Sequence, residues 1–191
     1  MTPYTIPNLL TGLRIVLIPL IITSFLVPYR GADITAGLLF AVAGITDAFD
    51  GYVARRLGQV SRLGAFLDPV ADKLIVAVAL VLIVSRNPVW YVTLAASVII
   101  CREITVSALR EWMAGIGSRH KVAVSALGKF KTIAQIVGLS MLLYREDLWF
   151  LPIYRMGLVL TGIAAVLTLW SMVAYLQAAW PELMARDENV K

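Results

Sequence analysis

Six apolar stretches divide this chain of 191 residues, each close to the roughly 20 residues needed to cross a bilayer as a helix. They run at Leu10–Pro28, Ile34–Val53, Phe66–Val84, Val89–Leu109, Val122–Tyr144 and Leu151–Trp180, joined by short polar turns. The last is longer than a single crossing requires, so it either tilts or continues beyond the membrane. Composition agrees with this reading. With 60% hydrophobic and 15% charged residues and a mean hydropathy of +0.82, the chain is too apolar for a soluble domain of its size. The expected fold is an all-α integral membrane protein of six transmembrane helices, forming one domain over residues 1–191.

Charge placement orients the spans. Arg55, Arg56 and Arg62, then Arg110, Arg119, Lys121, Lys129 and Lys131, fall on one side, together with Arg186 and Lys191 at the tail. The other side carries only Arg30, Arg86, Arg145 and Arg155. The positive-inside rule then puts both termini and the connections near 54–65 and 110–121 in the cytoplasm. It also accounts for the net charge of +5 without invoking nucleic acid. The segment from Thr5 to Arg14 can begin as a helix lying in the membrane interface. No removable signal peptide is expected, because a basic n-region and a small-residue cleavage site are both missing at the start. The single cysteine, Cys101, excludes an intrachain disulfide and reads as a small packed side chain.

Against this apolar background stand four aspartates, in Asp47-Ala-Phe-Asp50-Gly51-Tyr-Val-Ala54-Arg55 and Gly64-Ala-Phe-Leu-Asp68-Pro-Val-Ala-Asp72. A carboxylate at mid-membrane costs about 2.5–3.5 kcal/mol on insertion scales. Residues three or four apart share a helical face, so Asp47 pairs with Asp50 and Asp68 with Asp72. The orientation puts both pairs at a similar depth on adjacent antiparallel helices, near the cytoplasmic end. Four hard oxygen ligands presented in this way suit magnesium or manganese. A solvated acidic face explains them poorly, since Phe49, Phe66, Leu67, Val70, Leu74 and Ile75 surround them. Structural ion pairs with Arg55, Arg56 and Lys73 would leave Gly51 and Gly64 without a purpose. Both glycines open space beside the acidic pairs for a ligand or another backbone, and Arg55 can meet a phosphate. Metal, small residues and arginine together are the chemistry of a bound nucleotide diphosphate.

The complete pattern, D-x2-D-G-x2-A-R-x8-G-x3-D-x3-D, resembles the signature of the CDP-alcohol phosphatidyltransferase family, without departures. The likeness extends to Pro7-Asn8-Leu-Leu-Thr11-Gly-Leu-Arg14, to Cys101-Arg102-Glu103 through Arg110-Glu111-Trp112-Met113, and to Gly128-Lys129-Phe-Lys131-Thr132-Ile-Ala-Gln135. These segments resemble the bacterial branch that uses glycerol 3-phosphate. The resemblance implies transfer of a phosphatidyl group from CDP-diacylglycerol to an alcohol, with release of CMP. It implies that Asp47, Asp50, Asp68 and Asp72 bind two divalent cations, Mg2+ or Mn2+. Two such ions about 3.5–4 Å apart can clamp the attacking and leaving oxygens of an in-line displacement. Asp72 matches the proposed general base, and Gly51, Arg55 and Ser61 match positions that contact CDP-diacylglycerol. A homodimer in a bacterial cytoplasmic membrane, among membrane lipids, is implied as well.

The acceptor is read from the remaining basic residues. sn-Glycerol 3-phosphate brings a dianion, and Arg102, Arg110, Lys129 and Lys131 are the candidates to bind its phosphate, with Arg14 a lesser one. Arg102 and Arg110 are eight residues apart, close enough in phase to share a face. Ordinary positive-inside charge competes with this reading for Lys131, Arg119 and Lys121. It competes less for Arg102, because an intramembrane arginine normally faces a cavity. Glu103 projects about 100° from Arg102 and is expected to pair elsewhere. His120, the single histidine, reads as a solvated loop residue. Trp90, Tyr91, Trp149, Tyr154 and Trp180 fall near span ends, as interfacial aromatics do. Gly37, Gly44, Gly157 and Gly162 are candidates for close helix contacts.

Two alternatives compete. A transferase of the same family using inositol phosphate or phosphatidylglycerol shares every motif except the extended ones. A divalent-cation transporter explains intramembrane carboxylates, but it requires polar groups toward both membrane faces and leaves Gly51, Ala54, Arg55 and Gly64 without a role.

Overall fold

Among the described residues every regular element is helical. The structure, a computed structural model, describes residues 6–57, 62–117 and 126–184. Six α-helices occupy them: α1 (Ile6–Leu26), α2 (Ala32–Leu57), α3 (Arg62–Arg86), α4 (Trp90–Gly115), α5 (Ala126–Tyr144) and α6 (Ile153–Met184). Each overlaps one of the expected apolar stretches; α2 and α3 extend beyond theirs at both ends, whereas α1, α4, α5 and α6 stop short of one expected boundary. Helix α1 is unbroken from Ile6 to Leu26, so the N-terminal segment is not a separate interfacial element. The reason lies in its side chains. Thr11 and Arg14 are each 1% exposed and turn inward against α2 and α3, which commits this part of the chain to the bundle.

Among the described residues, three helices are long and apolar enough to cross a membrane by length and composition alone: α1 within Leu9–Leu26, α4 and α6. Helices α2 and α3 hold 26 and 25 residues, roughly 39 and 37 Å at 1.5 Å per residue, against a hydrocarbon core of roughly 30 Å. Their length suffices, and their aspartates and arginines lower the hydropathy. In α5 the apolar stretch runs Phe130–Tyr144, shorter than the roughly 20 residues of a full crossing. The protein is membrane-embedded in character, with apolar side chains such as Phe66, Leu94, Ile104, Val166 and Trp170 exposed along the helix surfaces.

The apolar core has a definite place along each helix. It gathers Ile21, Phe40, Leu80, Ile99, Leu139, Leu143 and Ala165, with neighbours from all six helices. In α1, α3 and α5 these residues follow the polar positions Arg14, Asp72 and Lys131. In α2, α4 and α6 they precede Asp47, Arg102 and Tyr175. This alternation is that of an up-and-down bundle with polar groups collected at one end.

Close packing is made possible by glycine. A Cβ on Gly37 would lie 2.6 Å from the Tyr144 backbone nitrogen, and one on Gly157 would lie 2.9 Å from Met141 Cβ, so α2–α5 and α5–α6 approach backbone to backbone. Gly44 likewise sits against Ile136, and Gly138, which the sequence pattern did not single out, would meet Thr161 Oγ1 at 2.7 Å. Gly162 is different: a Cβ there meets nothing within 4 Å, because it borders a small apolar cavity. Cys101 is exposed, not packed, since α4 turns Arg102 and Ile99 toward the bundle and leaves position 101 outside.

At the end remote from the aspartates, Arg86 Nη2 pairs with Asp33 Oδ1 at 2.8 Å and its guanidinium lies 4.7 Å from the centre of the Phe25 ring. Asn87 donates to the Tyr154 hydroxyl. Trp90, Tyr91, Trp149 and Trp180 are exposed near helix ends, as expected of interfacial aromatics.

Candidate active site

A cleft of about 320 Å³ opens where α1, α3 and α5 begin and α2, α4 and α6 end, and all six helices line it. On one wall are Asp47 from α2 and Asp72 from α3; on the other are Arg102, Arg110 and Lys131 from α4 and α5. Negative and positive groups from 30 (Asp72 and Arg102) to 84 (Asp47 and Lys131) residues apart in the chain therefore face a common space.

The carboxylate wall is organised by α1. Arg14 places Nη2 3.2 Å from Asp47 Oδ1 and donates from Nη1 to Asp72 Oδ1, bringing the two carboxyl groups against each other. Thr11, one turn earlier on the same face, donates its hydroxyl to Asp68 Oδ1. Arg14 is thus a partner of the acidic cluster, which displaces its lesser expected role at the acceptor phosphate. The cause is positional: α1 packs along both α2 and α3, so a long side chain on its inner face reaches the gap between them. Asp47 and Asp72 keep 38% and 43% of their side-chain surface exposed, leaving carboxylate oxygens open to the cleft.

Among the described residues, no three His, Cys, Asp or Glu side chains converge closely enough to hold a metal ion. Asp50, Gly51 and Arg55 lie along α2 and Lys129 on the first turn of α5, with side chains outside the described set. Ser61, Arg119, His120 and Lys121 lie outside the described residues altogether. The donor chemistry present is that of a hard divalent cation: carboxylate oxygens facing one another, with a single guanidinium between them.

The basic wall is more elaborate than its spacing implied. Arg102 is 6% exposed and Lys131 3%. Glu103, expected to pair elsewhere, places Oε1 3.1 Å from Arg102 Nη1 and 2.8 Å from Lys131 Nζ. Helical phase separates Arg102 from Glu103, yet both side chains are long, and the lysine on α5 draws the carboxylate toward the cleft. Helix α6 supplies two residues that the sequence reading missed. Ser171 accepts from Arg102 Nη2 at 3.0 Å, and the Tyr175 hydroxyl accepts from Arg110 Nη2 at 2.8 Å. The Tyr175 ring also lies beneath both guanidinium groups, at 5.8 and 5.0 Å. The one available sequence signal was their four-residue spacing, which puts both on one face of α6. Gln135, one turn beyond Lys131, lines the cleft as well.

The cleft does not continue across the molecule. Beyond it, Ile21, Leu80, Ile99, Leu139 and Leu143 fill the interior, and the only ion pair described at the far end is the separate Asp33–Arg86 clasp. The result is a pocket of opposed charges closed on one side by apolar packing. A permeation path has no such arrangement.

Comparison with known proteins agrees with this chemistry. CDP-diacylglycerol–glycerol-3-phosphate 3-phosphatidyltransferases from Salmonella typhimurium and Escherichia coli (strain K12) are each 51% identical over 181 residues, which is 95% of this chain and 98% of theirs. The protein of the same name from Shigella flexneri is similar to the same extent. A family model described as CDP-alcohol phosphatidyltransferase matches residues 4–174. The chain belongs to the CDP-alcohol phosphatidyltransferase family.

Proposed function

We infer that this protein transfers the phosphatidyl group of CDP-diacylglycerol to sn-glycerol 3-phosphate, releasing CMP and forming phosphatidylglycerophosphate. The observation that carries the reading is the facing of Asp47 and Asp72 by Arg102, Arg110 and Lys131 within one cleft. A nucleotide diphosphate and a phosphate monoester must meet there, and their charges call for opposed groups of this kind.

In this reading Asp47, Asp50, Asp68 and Asp72 hold two divalent cations, Mg2+ or Mn2+. When bound, these supply the charge neutralisation that lets a diphosphate enter an acidic cluster and leave as a phosphate. Gly51, Arg55 and Ser61 receive CDP-diacylglycerol, the arginine by charge-assisted hydrogen bonding to a phosphate. Arg102, Arg110, Lys129 and Lys131 bind the acceptor's phosphate and so direct its free hydroxyl toward the aspartates. Asp72 takes the hydroxyl proton as the oxygen attacks the phosphorus bonded to the lipid. The bond to CMP breaks and the electron pair leaves on CMP. Arg14 and Thr11 position the carboxylates from behind, while Ser171 and Tyr175 position the two arginines.

The same reading has six membrane passes with both termini and the cleft at the cytoplasmic face, in a bacterial cytoplasmic membrane, and a homodimeric assembly. The excess of Lys and Arg at the end of the bundle that holds the cleft supports this orientation. The test is direct. Purified protein in detergent receives CDP-diacylglycerol, magnesium and either glycerol 3-phosphate, glycerol or inositol phosphate, and both the CMP and the lipid product are identified. Phosphatidylglycerophosphate should form only with glycerol 3-phosphate. If no acceptor yields CMP the transferase reading fails; a product with glycerol alone removes the phosphate subsite.

A further inference from the structure

The basic wall of the cleft already contains an anion. A single Glu103 oxygen contacts Arg102 on its own helix at 3.1 Å and Lys131 on α5 at 2.8 Å. The two cations are nearly fully buried, whereas the glutamate side chain keeps 26% of its surface exposed. It is therefore the member of the trio that can withdraw into water at least cost. The arginines also have capacity to spare: Arg102 Nε and Arg110 Nε are buried with no hydrogen-bond partner among the described residues. An arginine presents five donors in a rigid fork and a phosphate presents several strong acceptors, so this wall is equipped for a larger anion than one carboxylate.

We propose that Glu103 is an internal competitor for the acceptor's phosphate, holding Arg102 and Lys131 until a dianion displaces it, and so selecting which acceptors enter. The inference rests on the reading of Arg102, Arg110 and Lys131 as the phosphate subsite. Its physics is an exchange of anions. A neutral alcohol offers no charge to replace the carboxylate. A monoanion replaces it with no gain in charge. A phosphate dianion gains one charge and engages the spare arginine donors. Selectivity then comes from what the acceptor must outbid as well as from what it contacts. Removing the Glu103 charge should tighten the hold on every anion. A glutamate serving only to brace the cations predicts the opposite sign, because freed side chains would scatter and bind phosphate less well.

The experiment measures inorganic phosphate as a competitor of glycerol 3-phosphate in the CMP-release assay, using the full chain with CDP-diacylglycerol. For Glu103→Gln the inhibition constant of phosphate should fall about tenfold, the low end of the coupling found for close charge pairs, while KM for CDP-diacylglycerol stays unchanged. Glu103→Asp, too short to hold both cations, should fall in the same direction by less, which keeps the idea testable if the glutamine variant fails to fold. An inhibition constant that is unchanged or higher in both variants overturns the role given to Glu103 and leaves the subsite standing. Failure of phosphate to compete in the wild type removes the subsite itself, and the proposal with it.

Discussion

Replacing Arg14 with alanine asks whether one guanidinium is what allows Asp47 and Asp72 to share a cavity. Arg14 is 1% exposed, and both terminal nitrogens are committed to carboxylates. Truncating one partner of a buried charge pair typically costs about 3–5 kcal/mol, because the opposing charge is left uncompensated. The partners here are 38% and 43% exposed on the cleft side, so water absorbs part of the loss and the lower end, about 3 kcal/mol, is expected. For a chain of this length each kcal/mol moves the unfolding midpoint by about 2–4 °C, giving a fall of roughly 6–12 °C. Arg14→Lys keeps the charge and loses the two-pronged fork, so it should fall between alanine and wild type.

The assay is tryptophan fluorescence during heating in detergent at one scan rate, with and without magnesium. A divalent cation can take over the neutralisation that Arg14 provides, so magnesium should restore more of the midpoint to Arg14→Ala than it adds to the wild type. If the alanine variant melts at the wild-type temperature, and all three proteins respond equally to magnesium, the counter-cation argument is wrong.

Three further outcomes are expected. Tyr175→Phe removes the hydroxyl that holds Arg110 at 2.8 Å but keeps the ring beneath it, so KM for glycerol 3-phosphate should rise about three- to tenfold, in keeping with the roughly 1 kcal/mol of one hydrogen bond, with KM for CDP-diacylglycerol unmoved. Equal changes in both constants would assign Tyr175 to packing alone. Asp72→Asn retains an oxygen for Arg14 and loses the proton acceptor, so turnover should vanish while CDP-diacylglycerol binding, followed by equilibrium dialysis, persists; normal turnover would remove Asp72 as base. Gly37→Ala drives a methyl into the Tyr144 backbone and should destabilise by about 1–3 kcal/mol, the usual cost of overpacking. Gly162→Ala meets open space and should melt like the wild type, so equal midpoints for the two would count against backbone contact between α2 and α5.

The six helices could be anticipated because apolar length is a one-dimensional property: α4 runs Trp90–Gly115 where the reading gave Val89–Leu109. The alignment of Arg102 with Arg110 was also available, since both lie on one helix and periodicity fixes their relation. What sequence spacing does not encode is which helix lies opposite. Arg14 is 58 residues from Asp72, and Tyr175 is 65 residues from Arg110. Neither pairing follows from the period of its own helix. Glu103 illustrates a subtler limit. Its direction from the helix axis was read correctly as divergent from Arg102, but the reach of a glutamate and the pull of Lys131 from a neighbouring helix prevailed over that divergence.

Among the described residues, the helices that fall short of a simple hydropathy criterion for crossing a membrane are α2, α3 and α5, and the shortfall goes with their charged residues. Asp47 and Asp72, with Lys131 opposite, line the cleft. The charges that line the cleft are the same charges that lower the hydropathy of these segments. The molecule accommodates them by order along the chain. In each helix the polar residues that line the cleft lie toward one end, with the apolar core beyond them, and at the far end Asp33 is paired with Arg86. Buried charge is then compensated within the cleft, by Arg14 on the acidic wall and by Glu103 on the basic one. Both compensating groups are single side chains with partners on two helices, or on two sites of the same wall. The exchange proposed for Glu103 would therefore leave Arg14 and the acidic wall in place, with the apolar layer of Ile21, Leu80, Ile99 and Leu139 packed beneath both walls.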